Sequence, residues 1–454
     1  MFRSVKVCAS IAFVAGAVMP AAQADEQYHV VGIVQLPAGS NPLRSADIAW
    51  VDAHSHAYVL TDRSNKAVDF INTPSNEKIT LLTADPPFAG ANVANGGTAA
   101  APNGAGPNGV IIIERNHDVW AADGPVCPPN DTNKAHCTNS GSLKVIDLKS
   151  GKTKNVFYIN PTPSIEHPSW PPVTAPATVH GRVDELCSNP ASNVVLVASN
   201  SSGFGDSFIS FINEDTGEIE DVIRLDGSTF TAKDPDLGTP INAHSGIEQC
   251  QYNPRDGKFY LAIPRLNLGP NGAVLRISGT APFKVEKVFQ ITTPGCVQPL
   301  GGPAGLTIGP EDQILVGCNG TSTQSVIIDD RSTLAAAPIV IQFVPTHSGV
   351  DEVWFDPGSN HYYLAQQDAA IMGVEDALGI PKQDPDAFTA TNSRNPAADP
   401  DRNRVYLPVL SLLTGSQSTI CSTNKDHNGN AGDDNQGCIA IYSAPLDGDD
   451  GAPK

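Results

Sequence analysis

The chain has 454 residues, 48 of them acidic against 28 basic, and a formal net charge of −20. That balance speaks against nucleic acid and anionic membrane surfaces as partners. Aromatics are only 6% of the chain while 40 glycines and 38 prolines punctuate it, a composition of short strands and turns rather than of long helices.

The first residues predict a compartment. Arg3 and Lys6 precede an apolar run from Val7 to Met19, and Ala22-Gln23-Ala24 gives the small-x-small pattern cut by signal peptidase. The run is too short to cross a bilayer. Residues 1–24 are therefore expected to be a signal peptide and residues 25–454 one propeller domain, periplasmic or secreted. Loss of Arg3 and Lys6, with no acid removed, takes the charge from −20 to −22. The plainest reading of this acidity is solubility. Eight of the nine cysteines lie beyond the leader, an even number that predicts disulfides in an oxidising compartment. Cys127 and Cys137 bracket a polar insertion, and Cys421 and Cys438 a Gly/Asn/Asp-rich stretch, both in the manner of loop staples.

An isolated strand, Val30-Val-Gly-Ile-Val, comes first. First strands of repeating units then begin at Asp47, Asn108, Asp184, Glu248, Ala304, Asp351 and Arg394. Second strands follow near Tyr58, Val119, Val194, Phe259, Ile314, Tyr362 and Val405, and third strands near Ala67, Leu143, Phe208, Ala273, Ser325, Ile371 and Cys438. Short β-branched runs repeated in this way predict an all-β, seven-bladed β-propeller. The last unit has three strands and the chain starts with a spare one, so the N-terminal strand is expected to complete the last blade. A monomer follows from that closure. In the aligned first strands Cys187 and Cys250 are one place apart, facing each other across a blade interface, and Cys296 and Cys318 fall at one mouth.

A phrase recurs in three of these units, a histidine four residues before the carboxylate that opens the first strand. The copies are His180-Gly-Arg-Val-Asp184, His244-Ser-Gly-Ile-Glu248 and His347-Ser-Gly-Val-Asp351. Equivalent positions of a closed ring converge on its axis. The carboxylate column reads Asp47, Asn108, Asp184, Glu248, Ala304, Asp351, Arg394, and these side chains are predicted to share one channel mouth.

The stretches from Asp47 to Asn72 and from Gly106 to Gly124 resemble blades of the broad superfamily of YncE-like, NHL-repeat, senescence-marker/gluconolactonase and paraoxonase-like propellers. The likeness spans nearly the whole mature chain, and its motifs speak for the fold more than for the function. The resemblance implies Ca²⁺ held by Glu, Asn and Asp at the mouth, with Asn108 matching the family's asparagine, and a hydrolytic or binding role. The histidines depart from that pattern.

Carboxylates crowded at a narrow mouth persist only with a cation, bound protons or an arginine beside them. Arg394 is one internal candidate and a divalent metal the other. Oxygen ligands suit Ca²⁺, whereas His180, His244 and His347 as ligands suit Zn, Fe or Cu. The candidate metal set is thus Asp47, Asn108, Asp184, Glu248 and Asp351 with the three histidines, and the candidate catalytic set is those histidines with Arg394. The competing structural account is a repeated inter-blade latch. Its occurrence in three blades rather than all seven favours a site.

His54, His56, His117 and His361 are placed in turns at the opposite mouth. His167 lies in a Pro-rich insertion, residues 161–176, that could lie over the channel as a lid. The loop from Asp426 to Asn435 has the alternating oxygens of a calcium loop but lacks the terminal glutamate. With no serine-nucleophile elbow or phosphate loop in the chain, the expected function is metal-assisted hydrolysis of a lactone or ester, or a related lyase step, on a small molecule. The alternative is a non-catalytic periplasmic propeller that binds a ligand or a protein.

Overall fold

Strands form where β-branched runs lie between Gly, Pro and Asn/Asp turns, and the computed structural model arranges them as seven four-stranded antiparallel sheets. It describes residues 28–90, 106–124, 141–159, 182–200, 207–228, 231–243, 246–329, 339–366, 371–377, 382–388, 393, 395–411 and 419–443. The expected leader, the Cys127–Cys137 staple and the Pro-rich insertion lie outside these residues.

Strand β1 (Val30–Gln35) precedes the first blade, which contains β2 (Ala46–Asp52), β3 (Ala57–Asp62), β4 (Ala67–Asn72) and β5 (Thr80–Leu82). Blade 2 is β6 (Val110–Ile113) to β9 (Thr153–Tyr158), with β7 (Asp118–Asp123) and β8 (Ser142–Asp147) between them. Blade 3 is β10 (Arg182–Asn189), β11 (Val194–Asn200), β12 (Phe208–Asn213) and β13 (Ile219–Arg224), and blade 4 is β14 (Cys250–Asn253), β15 (Lys258–Ile263), β16 (Gly272–Ser278) and β17 (Val285–Ile291). Blade 5 is β18 (Pro303–Ile308), β19 (Gln313–Cys318), β20 (Gln324–Asp329) and β21 (Ile339–Pro345), and blade 6 is β22 (Val350–Asp356), β23 (His361–Gln366), β24 (Ile371–Asp376) and β25 (Lys382–Phe388). Blade 7 has β26 (Ala397–Asp399), β27 (Arg404–Val409) and β28 (Cys438–Ser443), and β1 pairs antiparallel with β28 as its outer strand. The predicted blade count and the predicted closure are both present. Among the described residues the longest α-helical segment is the single turn α1 (Ile420–Thr423).

The buried apolar side chains of the described residues fall into seven clusters, each spanning an interface between neighbouring blades. Stability therefore resides in blade-to-blade packing, as expected of a closed repeat. Cys187 bridges Cys250 between the first strands of blades 3 and 4, Cys296 bridges Cys318, and Cys421 bridges Cys438. Closing the 63-residue loop between Cys187 and Cys250 is worth about 4 kcal/mol on the chain-entropy account. These disulfides are compatible with an extracellular or periplasmic location. No helix among the described residues is long and apolar enough to cross a membrane.

Two features of the inner strands shape the channel. Glycines 109 and 305 let neighbouring first strands approach closely, since a Cβ on Gly109 would meet the Asp184 carbonyl oxygen at 1.9 Å and one on Gly305 the Asp351 oxygen at 2.7 Å. Below the mouth, Trp50 of blade 1 and Trp354 of blade 6 meet edge to face with ring centroids 5.3 Å apart. Gln249 reaches across toward blade 6, its Nε2 donating to the Val353 carbonyl at 3.4 Å.

Candidate functional site

Four of the predicted carboxylates, Asp47, Asp184, Glu248 and Asp351, line a single cavity of about 290 Å³ at the channel mouth. The same cavity holds Glu185, Glu352, Arg63 and Arg182. Blade 5 contributes Asn319 and Gly320, and Ile48 completes the wall. Six carboxyl groups thus face two guanidinium groups.

The register of the inner strands explains the extra carboxyls. In a regular strand successive side chains alternate between faces, so Glu185 and Glu352 would point away from their neighbours Asp184 and Asp351. Instead the pairing of β10 with β11 shifts between Val183 and Leu186, and that of β22 with β23 shifts between Val350 and Val353. The same irregularity occurs between Ala46 and Ala49 in blade 1 and between Pro303 and Leu306 in blade 5. A β-bulge re-aims the added residue, and here it brings two consecutive carboxyls to one cavity.

The cations arrive by antiparallel geometry, because a second strand ends where the first begins. Asp62 pairs with Ala46 and Asn200 with Arg182, so the residues closing β3 and β11 return to the mouth. Arg63, just past β3, donates from Nη2 to Asp47 Oδ2 and, at 2.7 Å, to Asn108 Oδ1. Its Nε donates to the Pro107 carbonyl at 3.3 Å. Asn108 is fully buried and passes the brace on, its Nδ2 donating to the Val183 carbonyl at 2.9 Å. Arg182 Nη2 donates to Asp184 Oδ2 at 2.7 Å, and its Nε has no hydrogen-bond partner. The Asn200 amide bridges two carboxylates, donating to Asp184 Oδ2 at 2.9 Å and to Glu248 Oε1 at 3.1 Å.

Electrostatics follow from this crowding. Burial, then the charges of Asp184 and its neighbours, push Glu185 and Glu248 well above the usual carboxyl range, with Arg182 pulling back. Glu352 is likewise pushed well up, first by burial and then by Glu185, Asp351, Asp47 and Glu248. Burial also raises Asp184, against the pull of Arg182. Burial disfavours the Arg182 charge, but Asp184, Asp47 and Glu248 more than offset it and hold the guanidinium firmly protonated.

Of the other predicted site residues, His180, His244 and Arg394 lie outside the described residues. His347 is exposed, its backbone N–H donates to Gln366 Oε1 at 2.5 Å, and it is not part of the cavity wall. The sequence missed Glu185, Glu352, Arg63, Arg182 and Asn200. The second-strand ends carried the signal for Arg63 and Asn200, since pairing alone returns them to the mouth.

At the opposite mouth His54, His56 and His117 lie in turns as predicted, but His361 does not. It begins β23 and is buried, because it pairs with Asp356 as the first residue of the strand. Ligand atoms of Asp52, His54 and Glu114 lie within 4.8 Å of one another there, on a half-buried aspartate and two exposed residues. In the loop resembling a calcium site, Asp426 already accepts from the backbone N–H groups of Asn428 and Asn430, and Asp433 from that of Asn435.

No protein-family model matches this chain, and no curated protein matches it either. Solved structures do match. A chain from "Crystal Structure of Mitotic Checkpoint Complex" aligns over 96% of this chain and 99% of its own, with a TM-score of 0.54 and 10% identity. Kuenenia stuttgartiensis hydrazine synthase aligns over 83% of this chain and 96% of its own, at 0.54 and 11%. The RRP9 WD40 repeats align over 92% and 100%, at 0.55 and 8%. At such identities the shared property is the propeller fold.

Proposed function

We propose that the acidic channel mouth holds a divalent metal and that the protein uses it in hydrolysis, opening a lactone or ester, or in a related lyase step. The observation that carries this reading is the convergence of six carboxyl groups, from Asp47, Asp184, Glu185, Glu248, Asp351 and Glu352, on one cavity in which two arginines stand among the described lining. Such a group of like charges is maintained against its own repulsion for a purpose, and a bound cation supplies one. The donors fit a hard metal: carboxylates dominate, the Asn319 side chain and Gly320 lie beside them, and the buried Glu352 Oε2 has no hydrogen-bond partner.

A bound metal would polarise a substrate carbonyl and lower the pKa of water. The chain's own residues do the rest. Arg182, on the cavity wall, is placed to hold a substrate oxygen, and the Glu185 carboxyl, raised well above the usual range by burial, is placed to give up a proton. In this reading one of His180, His244 and His347 is a ligand or the general base. The competing reading is a binding propeller, as in the YncE-like proteins, and it is supported by two of the similar structures, a chain of the mitotic checkpoint complex and the RRP9 WD40 repeats.

Protein purified without a His-tag and supplied with metal should open members of a panel of lactones and aryl esters, and lose that turnover in EDTA. Asp351→Ala should lose metal and turnover together while keeping its circular dichroism, because the blades share the stability load. If Asp351 serves only a latch, the variant instead melts early, by about 1–3 kcal/mol, with metal and turnover intact. Metal uptake with no turnover on the panel decides for the binding propeller.

A further inference from the structure

A second cavity, of about 240 Å³, lies at the seam where the ring closes. Strand β1, the outer strand of blade 7, supplies Val31 and Ile33, and Ile441 of β28 stands beside them. The turn after β4 of blade 1 supplies Ser75 and Asn76, and the stapled loop between Cys421 and Cys438 supplies Lys425 and His427. That loop is fastened along β1, the Ile33 N–H donating to the Lys425 carbonyl at 3.2 Å. Arg404 completes the lining from the first residue of β27, the end of that strand away from the channel mouth.

The chain as a whole is acidic, at −20, yet here two cations and a histidine gather around one carboxylate. That carboxylate is taken up within its own loop. Asp426 Oδ1 accepts from the backbone N–H groups of Asn428 at 2.9 Å and Asn430 at 2.8 Å, and Oδ2 accepts from the Asn430 and Gln35 amides. Arg404 donates from Nη1 to the Asn403 carbonyl at 3.0 Å, and among the described residues neither it nor Lys425 nor His427 forms an ion pair with an acid. Asn76 uses its Oδ1 to accept from the Tyr406 hydroxyl at 2.9 Å, so the groups it has left are N–H donors. A guanidinium fork and an ammonium with neutral donors beside them, and no acid to share them, complement a doubly charged oxyanion. Val31, Ile33 and Ile441 add an apolar wall, which suits an organic group carried by that oxyanion. We propose that this seam cavity binds a small organic phosphate, with Arg404 and Lys425 on the phosphate and Val31 and Ile441 against the organic group. The site is independent of the metal reading of the mouth.

Calorimetric titration with phenyl phosphate tests the assignment, with equilibrium dialysis as a second readout and EDTA present so that a metal at the mouth contributes nothing. Wild type should bind one equivalent, more tightly than it binds inorganic phosphate. Arg404→Gln and Lys425→Gln should each weaken binding at least about 10-fold, with unchanged circular dichroism. Lys78→Gln, in the adjoining cavity beside Glu77, should bind as wild type does. Full affinity in the double variant Arg404→Gln, Lys425→Gln overturns the site, as does loss in Lys78→Gln with Arg404→Gln unaffected. Loss in Arg182→Met with Arg404→Gln unaffected would move the phosphate to the channel mouth and overturn the seam cavity. Phenyl phosphate bound no more tightly than inorganic phosphate would overturn the organic ligand. No binding by wild type, by heat or by dialysis, overturns the proposal and leaves the reading of the mouth standing.

Discussion

Replacing Arg182 by methionine should cost the protein about 3 kcal/mol, the usual penalty for removing one partner of a buried ion pair. The guanidinium holds Asp184, whose side chain is 2% exposed, and its charge pulls Glu185 and Glu248 back down against burial. Methionine fills much of the same volume, so what is lost is charge rather than packing. Two further signs follow. Acid should narrow the deficit, because protonating carboxyls already raised by burial relieves the repulsion that Arg182 no longer offsets. Calcium should narrow it as well, because the mouth that has lost a positive charge binds the cation more tightly and so gains more folded-state stability from it than wild type does. Urea unfolding at neutral pH, with and without calcium, measures all of this. A variant within about 0.5 kcal/mol of wild type would mean that Arg182 is not part of the charge balance of the mouth.

The second large effect lies in the closing interface between blades 7 and 1. Asp69 on β4 is fully buried, and neither carboxyl oxygen has a hydrogen-bond partner. Burial first, and then the charge of Asp62, raise it well above the usual aspartate range. Asp62 itself is pushed up to about 6 by burial, against hydrogen bonds from Asn65 and Ser64. Tyr58, stacked on Tyr406 of blade 7, is the other titratable group beside Asp69, and it too is raised by burial and by Asp69. The folded state therefore keeps protons that the unfolded chain gives up above about pH 4. Stability accordingly falls as pH rises from there toward the folded-state values. Asp69→Asn should remove its share of that fall: wild type and variant unfold alike near pH 4, and at pH 8 the variant is more stable by at least about 1 kcal/mol. Asp62 should leave a residual slope up to about pH 6 in both. Thermal melts across pH 4 to 8 check this, and parallel curves would mean that Asp69 is solvated.

The ring was legible in the sequence because a propeller repeats its strand starts. Asp47, Asp184, Glu248 and Asp351 could be aligned by their apolar strands alone, and the spare strand at Val30 had one place to go. The site was legible only in part. Glu185 and Glu352 escaped because strand reasoning assigns neighbours to opposite faces, and nothing local in Asp184-Glu185 or Asp351-Glu352 announces a bulge. Arg63, Arg182 and Asn200 escaped because the search followed one column, whereas antiparallel pairing returns the second strand to the same mouth. Arg394, one internal candidate for the cation, lies outside the described residues, and among those residues Arg63 and Arg182 face the carboxyls. His361 was misplaced by a shift of one residue at a strand start, where a turn residue and a buried strand residue look alike. His180 and His244 lie outside the described residues.

The central claim is that this mouth holds a metal, and metal content tests it most directly. Protein purified without a His-tag, exchanged through metal-free buffer and assayed by elemental analysis should carry one equivalent of a divalent metal, calcium by the donor set. Removing it with EDTA should lower the melting temperature. Metal-free protein that melts at the same temperature with and without EDTA, and that takes up no calcium on addition, would contradict the account.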